Sequence, residues 1–317
     1  MGHARTFWTA YERTRDAGGV LVMRMEDLDA DRSRAVYAEA ALEELRWLGI
    51  RWHEGPDVGG PYAPYAQSER RAVYLAAWRK LLLGGFIYPC RCSRRDLEAA
   101  LSAPHEGGIQ EQEPLDDEPV YPGTCRKEAD WMSRFPTLAT DDQEAGSSTP
   151  LRSAQNDSKD GARDGILLDQ DSIASGIEEP DSFNWRFRVP DGEAVEFVDG
   201  NLGPQRFVTG RDFGDFVVWR RDGIPSYQLA CVADDAAMRI TEVVRGEDLV
   251  KSTARQILLN RALGFENPAW FHCGLVVDSN GKRLAKRHDA LSLRVLRQRG
   301  LTPEQILSDE LPSEEKR

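Results

Sequence analysis

The 317-residue sequence lacks any apolar run approaching 18 residues, so its pattern contains no membrane-spanning helix. Its start has no apolar stretch of signal-peptide type, and no internal repeat is present. Cysteine is sparse, five in all, with two of them in Cys90-Arg91-Cys92. That usage excludes a disulfide scaffold and points to a reducing, cytoplasmic setting, where a close thiol pair suits a metal better than a disulfide. Positive charge is also short: 41 Lys and Arg against 53 Asp and Glu, net −12, which at first argues against a nucleic-acid partner. The distribution changes that reading. Residues 103–120 hold six acids and no Lys or Arg, and residues 136–182 hold eleven acids and three bases. Without these two segments the net charge is −12 + 6 + 8 = +2, and a tRNA partner is allowed.

What is present is an alternation of strand and helix. Residues 4–17 have a helical pattern. "GGVLVMRMEDLD" follows, with an apolar run from Val20 to Met25 that predicts a buried strand. Helices are expected over Ser33 to Leu48 and Glu69 to Leu83, the latter stopped by Gly84-Gly85. Residues 137–180, rich in Ser, Asp, Gln, Gly and Thr and free of aromatics, are expected to be a disordered insertion. Strand-like alternation returns in "FNWRFRVP" and "AVEFVDGNLGPQRFV". An α/β pattern then resumes through "DFVVWRR", the helical "SYQLACVADDAAM", the strand "ITEVVRG", a helix from Ser252 to Leu263, and a strand-like run from Cys273 to Val277. The ending "LPSEEKR" reads as a charged tail. Alternation of this kind implies an α/β fold with a parallel sheet.

Two motifs carry candidate chemistry. "GKRLAKRHDA" crowds Lys282, Lys286 and Arg287, with Arg283 between them, onto a loop after a "DSNG" turn. Cations held there can neutralise charge growing on a phosphate; a solvated basic loop has the same composition. "MGHART" puts Gly2 and His3 at a helix start, where free N–H groups and the helix dipole favour phosphate; an ordinary N-terminal cap reads the same way.

Together, a Gly-His helix start and a K-x-L-x-K-R loop resemble the paired signatures of class I aminoacyl-tRNA synthetases. "RMEDLDADRSR", "YAPYAQSERRAVY", "YPCRCSRRDL", "YPGTCR", "GDFVVWRRDGIPSYQLACVADDAAMRITEVVRGEDLVKSTARQILLNRALG" and "GKRLAKRHDA" look, in that order, like the glutamyl-tRNA synthetase family. The likeness covers residues 1–102, 119–135 and 183–292. Within the family, "SYQLA", "TEVVRG" and "EDLD" look more like its short branch, the glutamyl-queuosine tRNA(Asp) synthetases, whereas "GEDL", with Glu247, is the form of the full-length enzymes.

The resemblance implies a Rossmann-like doubly wound parallel sheet, split into residues 1–85 and 213–300. An inserted, zinc-stabilised acceptor-binding subdomain would occupy 86–212, with 301–317 as a tail and no anticodon-binding domain. It implies a structural zinc on Cys90, Cys92, Tyr121 and Cys125, though two surface thiols and an unrelated Cys would share this composition, and the spacer before Tyr121 is longer than usual. It assigns Glu26, Tyr227 and Arg245 to glutamate. A carboxylate can receive the ammonium and a guanidinium can hold the side-chain carboxylate by a two-pronged fork. By its sequence neighbours alone, Arg245 can equally pair with Glu247 or Asp248, and Asp234-Asp235 reads as a helix-surface pair. ATP with Mg²⁺ would lie on Gly2, His3, Lys282, Arg283, Lys286 and Arg287, with Lys286 and His3 acting on the phosphates. The family's His-x-Gly-His signature follows a first strand. Here Met1 stands at the "x", so that strand is expected to be missing. The implied activity is ATP-dependent activation of glutamate and its transfer to queuosine in tRNA(Asp) by a monomer. A fragment charging the tRNA(Glu) acceptor end and a non-catalytic zinc- or RNA-binding remnant are the alternatives.

Overall fold

The computed structural model describes residues 2–29, 33, 35–93, 96, 120–126, 180, 183–275 and 293–307. The expected acidic insertion over 137–180 lies outside them except for its last residue, and the 282–287 basic loop lies outside them altogether. Helix α1 spans Gly2–Asp16, α2 Ala35–Trp47 and α3 Arg71–Leu83, the last preceded by a 3₁₀ turn at Gln67–Glu69. In α3, Tyr74, Ala77, Trp78, Leu81 and Leu82 form one buried stripe at helical spacing. Gly85, at φ +69°, then turns the chain into strand β1, Ile87–Cys90.

Beyond the insertion come β2 (Asn184–Phe187), β3 (Ala194–Asp199), β4 (Gly203–Val208) and β5 (Phe216–Trp219). Strands β1, β2 and β5 form an antiparallel sheet in that order, and β3 and β4 form a hairpin. Helix α4 (Tyr227–Ala237) leads to β6 (Glu242–Gly246), α5 (Val250–Leu263) and β7 (Ala269–Cys273). Strands β6 and β7 pair in parallel with Arg245 opposite His272, so β6–α5–β7 is a βαβ crossover, the unit of a Rossmann-like fold. Short helices α6 (Leu293–Gln298) and α7 (Pro303–Leu307) complete the described chain.

Two apolar cores result. The larger joins α3, α4 and α5 to both antiparallel sheets, with Trp78 edge-on to Trp185 at 5.0 Å between ring centroids. The smaller joins α1 and α2 to α6 and α7 through Ala4, Leu45, Leu48, Ile50, Leu296 and Ile306. Among the described residues no helix is long and apolar enough to cross a membrane.

Three expectations need correction. Val20–Met25 is extended but not a buried strand: Val20 is 59% exposed, and among the described residues the segment makes only two single parallel bridges, Val22 with Glu54 and Met25 with Ala66. Its partner stretch carries Gly59 and Gly60 at positive φ, then Pro61 and Pro64, which cannot extend a ladder. The strand expected over Cys273–Val277 meets the structure at its first residue: β7 spans Ala269–Cys273, its pairing with β6 ends at Gly246 opposite Cys273, Gly274 and Leu275 are in no strand, and residues 276–277 lie outside the described residues. Residues 301–307 are not a tail: α7 buries Ile306 fully, and Leu301 and Leu307 pack beside it.

Candidate active site and metal centre

A cleft of about 1900 Å³ lies between the extended 20–26 segment, α1, α4 and the C-terminal end of β6. Glu26, Tyr227 and Arg245, far apart in sequence, all line it. Helix α4 starts where the Ser226 hydroxyl caps it by accepting from the Leu229 N–H at 3.4 Å. From that start, Tyr227, Cys231 and Asp235 follow at four-residue steps and share the stripe that faces the cleft.

Arg24 organises the acidic wall. Its Nη1 donates to Asp235 Oδ1 at 2.6 Å and its Nη2 to Glu26 Oε1 at 3.1 Å. The Cys231 thiol lies 3.6 Å from Glu26 Oε1, and burial beside that carboxylate pushes the thiol well up, so it stays neutral. Glu26 keeps an exposed side chain, and its Oε2 takes no hydrogen bond among the described residues. A carboxylate so placed can accept an ammonium group.

Arg245 also lines the cleft and is 7% exposed. Its Nη2 donates to Thr253 Oγ1 at 2.6 Å, its Nε to His272 Nε2 at 3.1 Å, and its Nη1 approaches the Tyr227 hydroxyl at 3.5 Å. Glu247, one of the neighbours able to pair with it by sequence, instead accepts from the Leu275 N–H. A guanidinium presented this way can receive a carboxylate.

Asp234 corrects the surface-pair expectation. It is fully buried and accepts from Gln67 Nε2 at 3.0 Å, Arg70 Nε at 2.6 Å and the Tyr74 hydroxyl at 2.9 Å. It thereby pins α4, with Tyr227 and Cys231, to α3 and the turn before it.

Gly2 and His3 open α1 next to this cleft, which Ala4 and Thr6 line; the His3 side chain, like Lys282, Arg283, Lys286 and Arg287, lies outside the described residues.

A second constellation sits at the end of β1. Cys90, Cys92 and Cys125 bring their sulfurs within 4.8 Å of one another. Cys92 and Cys125 are 3.6 Å apart, and the Tyr121 hydroxyl lies 3.4 Å from the Cys90 sulfur and 3.5 Å from that of Cys92. A tetrahedron with metal–sulfur bonds of about 2.3 Å has sulfur–sulfur edges of about 3.8 Å, so this donor set fits a zinc ion. Burial pushes the Cys92 thiol up to about 11, so without a cation it would stay protonated. Sequence reasoning missed Arg186, whose Nε donates to Cys90 Sγ at 3.4 Å and whose guanidinium lies 4.0 Å from the Tyr121 ring centre. It brings a buried positive charge beside the three sulfurs, where it would favour their deprotonated, metal-binding form. Reasoning from sequence also missed Arg24, Thr253, Asp199 and His272. The one available signal was a polar residue within an otherwise apolar strand, as in "WRF" and "WFHC".

Comparison with known proteins follows the same lines. A family described as "tRNA synthetases class I (E and Q), catalytic domain" matches residues 1–121 and 143–309. The chain is 43% identical over 307 residues to a glutamyl-Q tRNA(Asp) synthetase of Symbiobacterium thermophilum, covering 97% of this chain and 80% of that protein. It is 38% identical over 301 residues to the protein of that name from Nitratidesulfovibrio vulgaris, covering 95% and 78%. Among solved structures, a glutamate–tRNA synthetase from Elizabethkingia anophelis superposes with a TM-score of 0.62 at 26% identity, covering 90% of this chain and half of that one.

Proposed function

Because the chain belongs to the family of class I tRNA synthetase catalytic domains for Glu and Gln, we propose that it activates L-glutamate with ATP and transfers the glutamyl group to queuosine of tRNA(Asp). The observation that carries this reading is the meeting of Glu26, Tyr227 and Arg245 in one cleft. The two glutamyl-Q tRNA(Asp) synthetases similar over nearly the whole chain favour the acceptor.

In this reading Arg245 holds the side-chain carboxylate of glutamate, Glu26 receives its ammonium, and Tyr227 walls the chain between them. The α-carboxylate is then left to attack the α-phosphorus of ATP. A carboxylate oxygen–phosphorus bond forms, the α–β phosphate bond breaks, and pyrophosphate leaves. Gly2 and His3 at the start of α1 cradle the phosphates with N–H donors, and Lys282, Arg283 and Arg287 offset their charge, with Lys286 acting on the charge that builds in the transition state. Magnesium accompanies ATP as its counter-ion. In the second step a hydroxyl of the queuosine ring attacks the acyl carbon and AMP leaves.

Cys90, Cys92, Tyr121 and Cys125 hold a structural zinc in this reading. Bound there, a zinc ion would tie the end of β1 to the 120–126 segment, within residues 86–212, which in this reading are the tRNA-contacting insertion between the two catalytic halves, 1–85 and 213–300. The enzyme works as a cytoplasmic monomer.

The test is glutamate-dependent exchange of pyrophosphate into ATP without tRNA, followed by transfer of labelled glutamate to tRNA(Asp) with and without queuosine. Exchange without tRNA, and labelling only of the queuosine form, are expected. Labelling of the terminal adenosine of tRNA(Glu) would replace this reading with that of a glutamate–tRNA ligase. No exchange with any tRNA would leave a binding protein.

A further inference from the structure

Behind Arg245 lies a polar chain that reaches into a different part of the fold. Asp199, at the end of β3, and His272, in β7, stand 73 residues apart and are both buried. The His272 Nδ1 and Asp199 Oδ2 are 2.6 Å apart. The other carboxylate oxygen, Oδ1, accepts the backbone N–H groups of Asn201 at 3.0 Å, Leu202 at 2.9 Å and His272 itself at 3.2 Å. On its other side, His272 Nε2 faces Arg245 Nε at 3.1 Å and Thr253 Oγ1 at 3.2 Å.

The donor inventory settles which nitrogen carries the proton. An arginine Nε–H only donates, so His272 Nε2 must accept, and its single proton sits on Nδ1, pointing at the Asp199 carboxylate. The ring is neutral. Burial also lowers its proton affinity. On the Asp199 side, the Leu202, Asn201 and His272 donors keep the carboxyl ionised despite its burial.

This arrangement uses one edge of the guanidinium and spares another. The side edge, Nε and one N–H of Nη2, is taken by His272 and Thr253. The outer edge, shared by Nη1 and Nη2, meets only the long approach to Tyr227 among the described residues. A carboxylate bonded directly to Arg245 would compete for that fork and cancel its charge. A neutral imidazole, held by a distant carboxylate, orients the guanidinium and leaves its charge for a ligand.

We propose that His272 and Asp199 are positioning residues that aim Arg245 at the substrate carboxylate, with Asp199 setting the His272 tautomer that makes this possible. The inference rests on the reading of the cleft as a glutamate site.

Three variants separate the two ends of the ring. His272→Gln places an amide oxygen near the Nε2 position and keeps the acceptor for Arg245. His272→Asn keeps a donor for Asp199 but has nothing to offer Arg245. Asp199→Asn would present an amide N–H to Nδ1, moving the proton to Nε2, where it opposes Arg245. Steady-state pyrophosphate exchange should show the glutamate KM raised about tenfold or more in His272→Asn and Asp199→Asn, as expected for losing a hydrogen bond to a charged group. The ATP KM and kcat should change little, and His272→Gln should stay within about threefold of the parent, since its acceptor is retained. Equal rises in all three variants, or in none, would overturn the proposal.

A second measurement needs no turnover. Nitrogen-15 spectra of the histidine-labelled parent should show His272 as the neutral Nδ1–H tautomer, with Asp199→Asn switching it to Nε2–H. An Nε2–H or charged ring in the parent would overturn the proposal even if exchange is normal. If the parent shows no glutamate exchange under any condition, the glutamate reading fails, and the tautomer result still decides the relation between His272, Asp199 and Arg245.

Discussion

Replacing Asp234 by Ala should destabilise the whole protein, not only the cleft. The carboxylate is fully buried and accepts three side-chain donors, with Arg24 Nε a fourth neighbour at 3.7 Å. Its removal strands the Arg70 guanidinium, itself 5% exposed. Breaking a buried ion pair by deleting one partner costs about 3–5 kcal/mol. Here Arg70 keeps two bonds through Nη1, to the Tyr62 carbonyl at 3.1 Å and the Pro64 carbonyl at 2.8 Å. The cost therefore falls at the lower end, about 3 kcal/mol. Asp234→Asn keeps an acceptor oxygen and should cost about 1–2 kcal/mol.

The assay is urea unfolding followed by tryptophan fluorescence, with Trp78 and Trp185 buried in the same core. With a slope of about 3 kcal/mol per molar urea, the Ala variant should unfold about 1 M earlier. Adding Tyr74→Phe to each background should show a coupling of about 0.5 kcal/mol or more, because the hydroxyl has lost its acceptor in the Ala background. An Ala variant within about 0.5 kcal/mol of the parent would refute the reasoning, since that is the range of ordinary surface substitutions.

Three further outcomes are expected. Arg245→Lys keeps the charge but not the fork, and should raise the glutamate KM by about 10- to 100-fold with the ATP KM unchanged, read by pyrophosphate exchange. Cys125→Ser should reduce the zinc content measured by mass spectrometry, and lowering the pH should release zinc from the parent, because the ligating thiols must be deprotonated. His272 binds its proton less readily in the folded chain than in the unfolded one. Its contribution is therefore fully present above an unfolded pKa of about 6.5 and is lost as pH falls through the lower folded value. His272→Gln should flatten the part of the stability–pH curve just below pH 6.5, about the unfolded value; an unchanged slope there would contradict a neutral buried ring.

Much of the architecture was legible because helices announce themselves by period. The α3 stripe and the Gly-terminated ends of α3 and α5 follow from local spacing and from φ preferences that hold wherever the segment sits. Strand limits were less legible: β7 starts and stops where its partner β6 does, and that register is a long-range property. The 20–25 run failed as a strand for a related reason. Its apolar residues predict burial, but a ladder also needs a partner backbone able to pair.

By itself the sequence determined which residue types were on hand and in what order: the close thiol pair, the acid at 26, the arginine at 245, the helical and strand periods around them. Those properties are local, set by covalent neighbours and by backbone preference. Only the tertiary structure decided that Asp234 faces Arg70 and not water, that Arg186 lies over Tyr121, and that Asp199 reaches Arg245 through His272. A charged side chain has the same composition on a surface as in a core. Its partner, its protonation and its role follow from what packs against it, and for these residues that partner comes from tens of residues or more away in the chain.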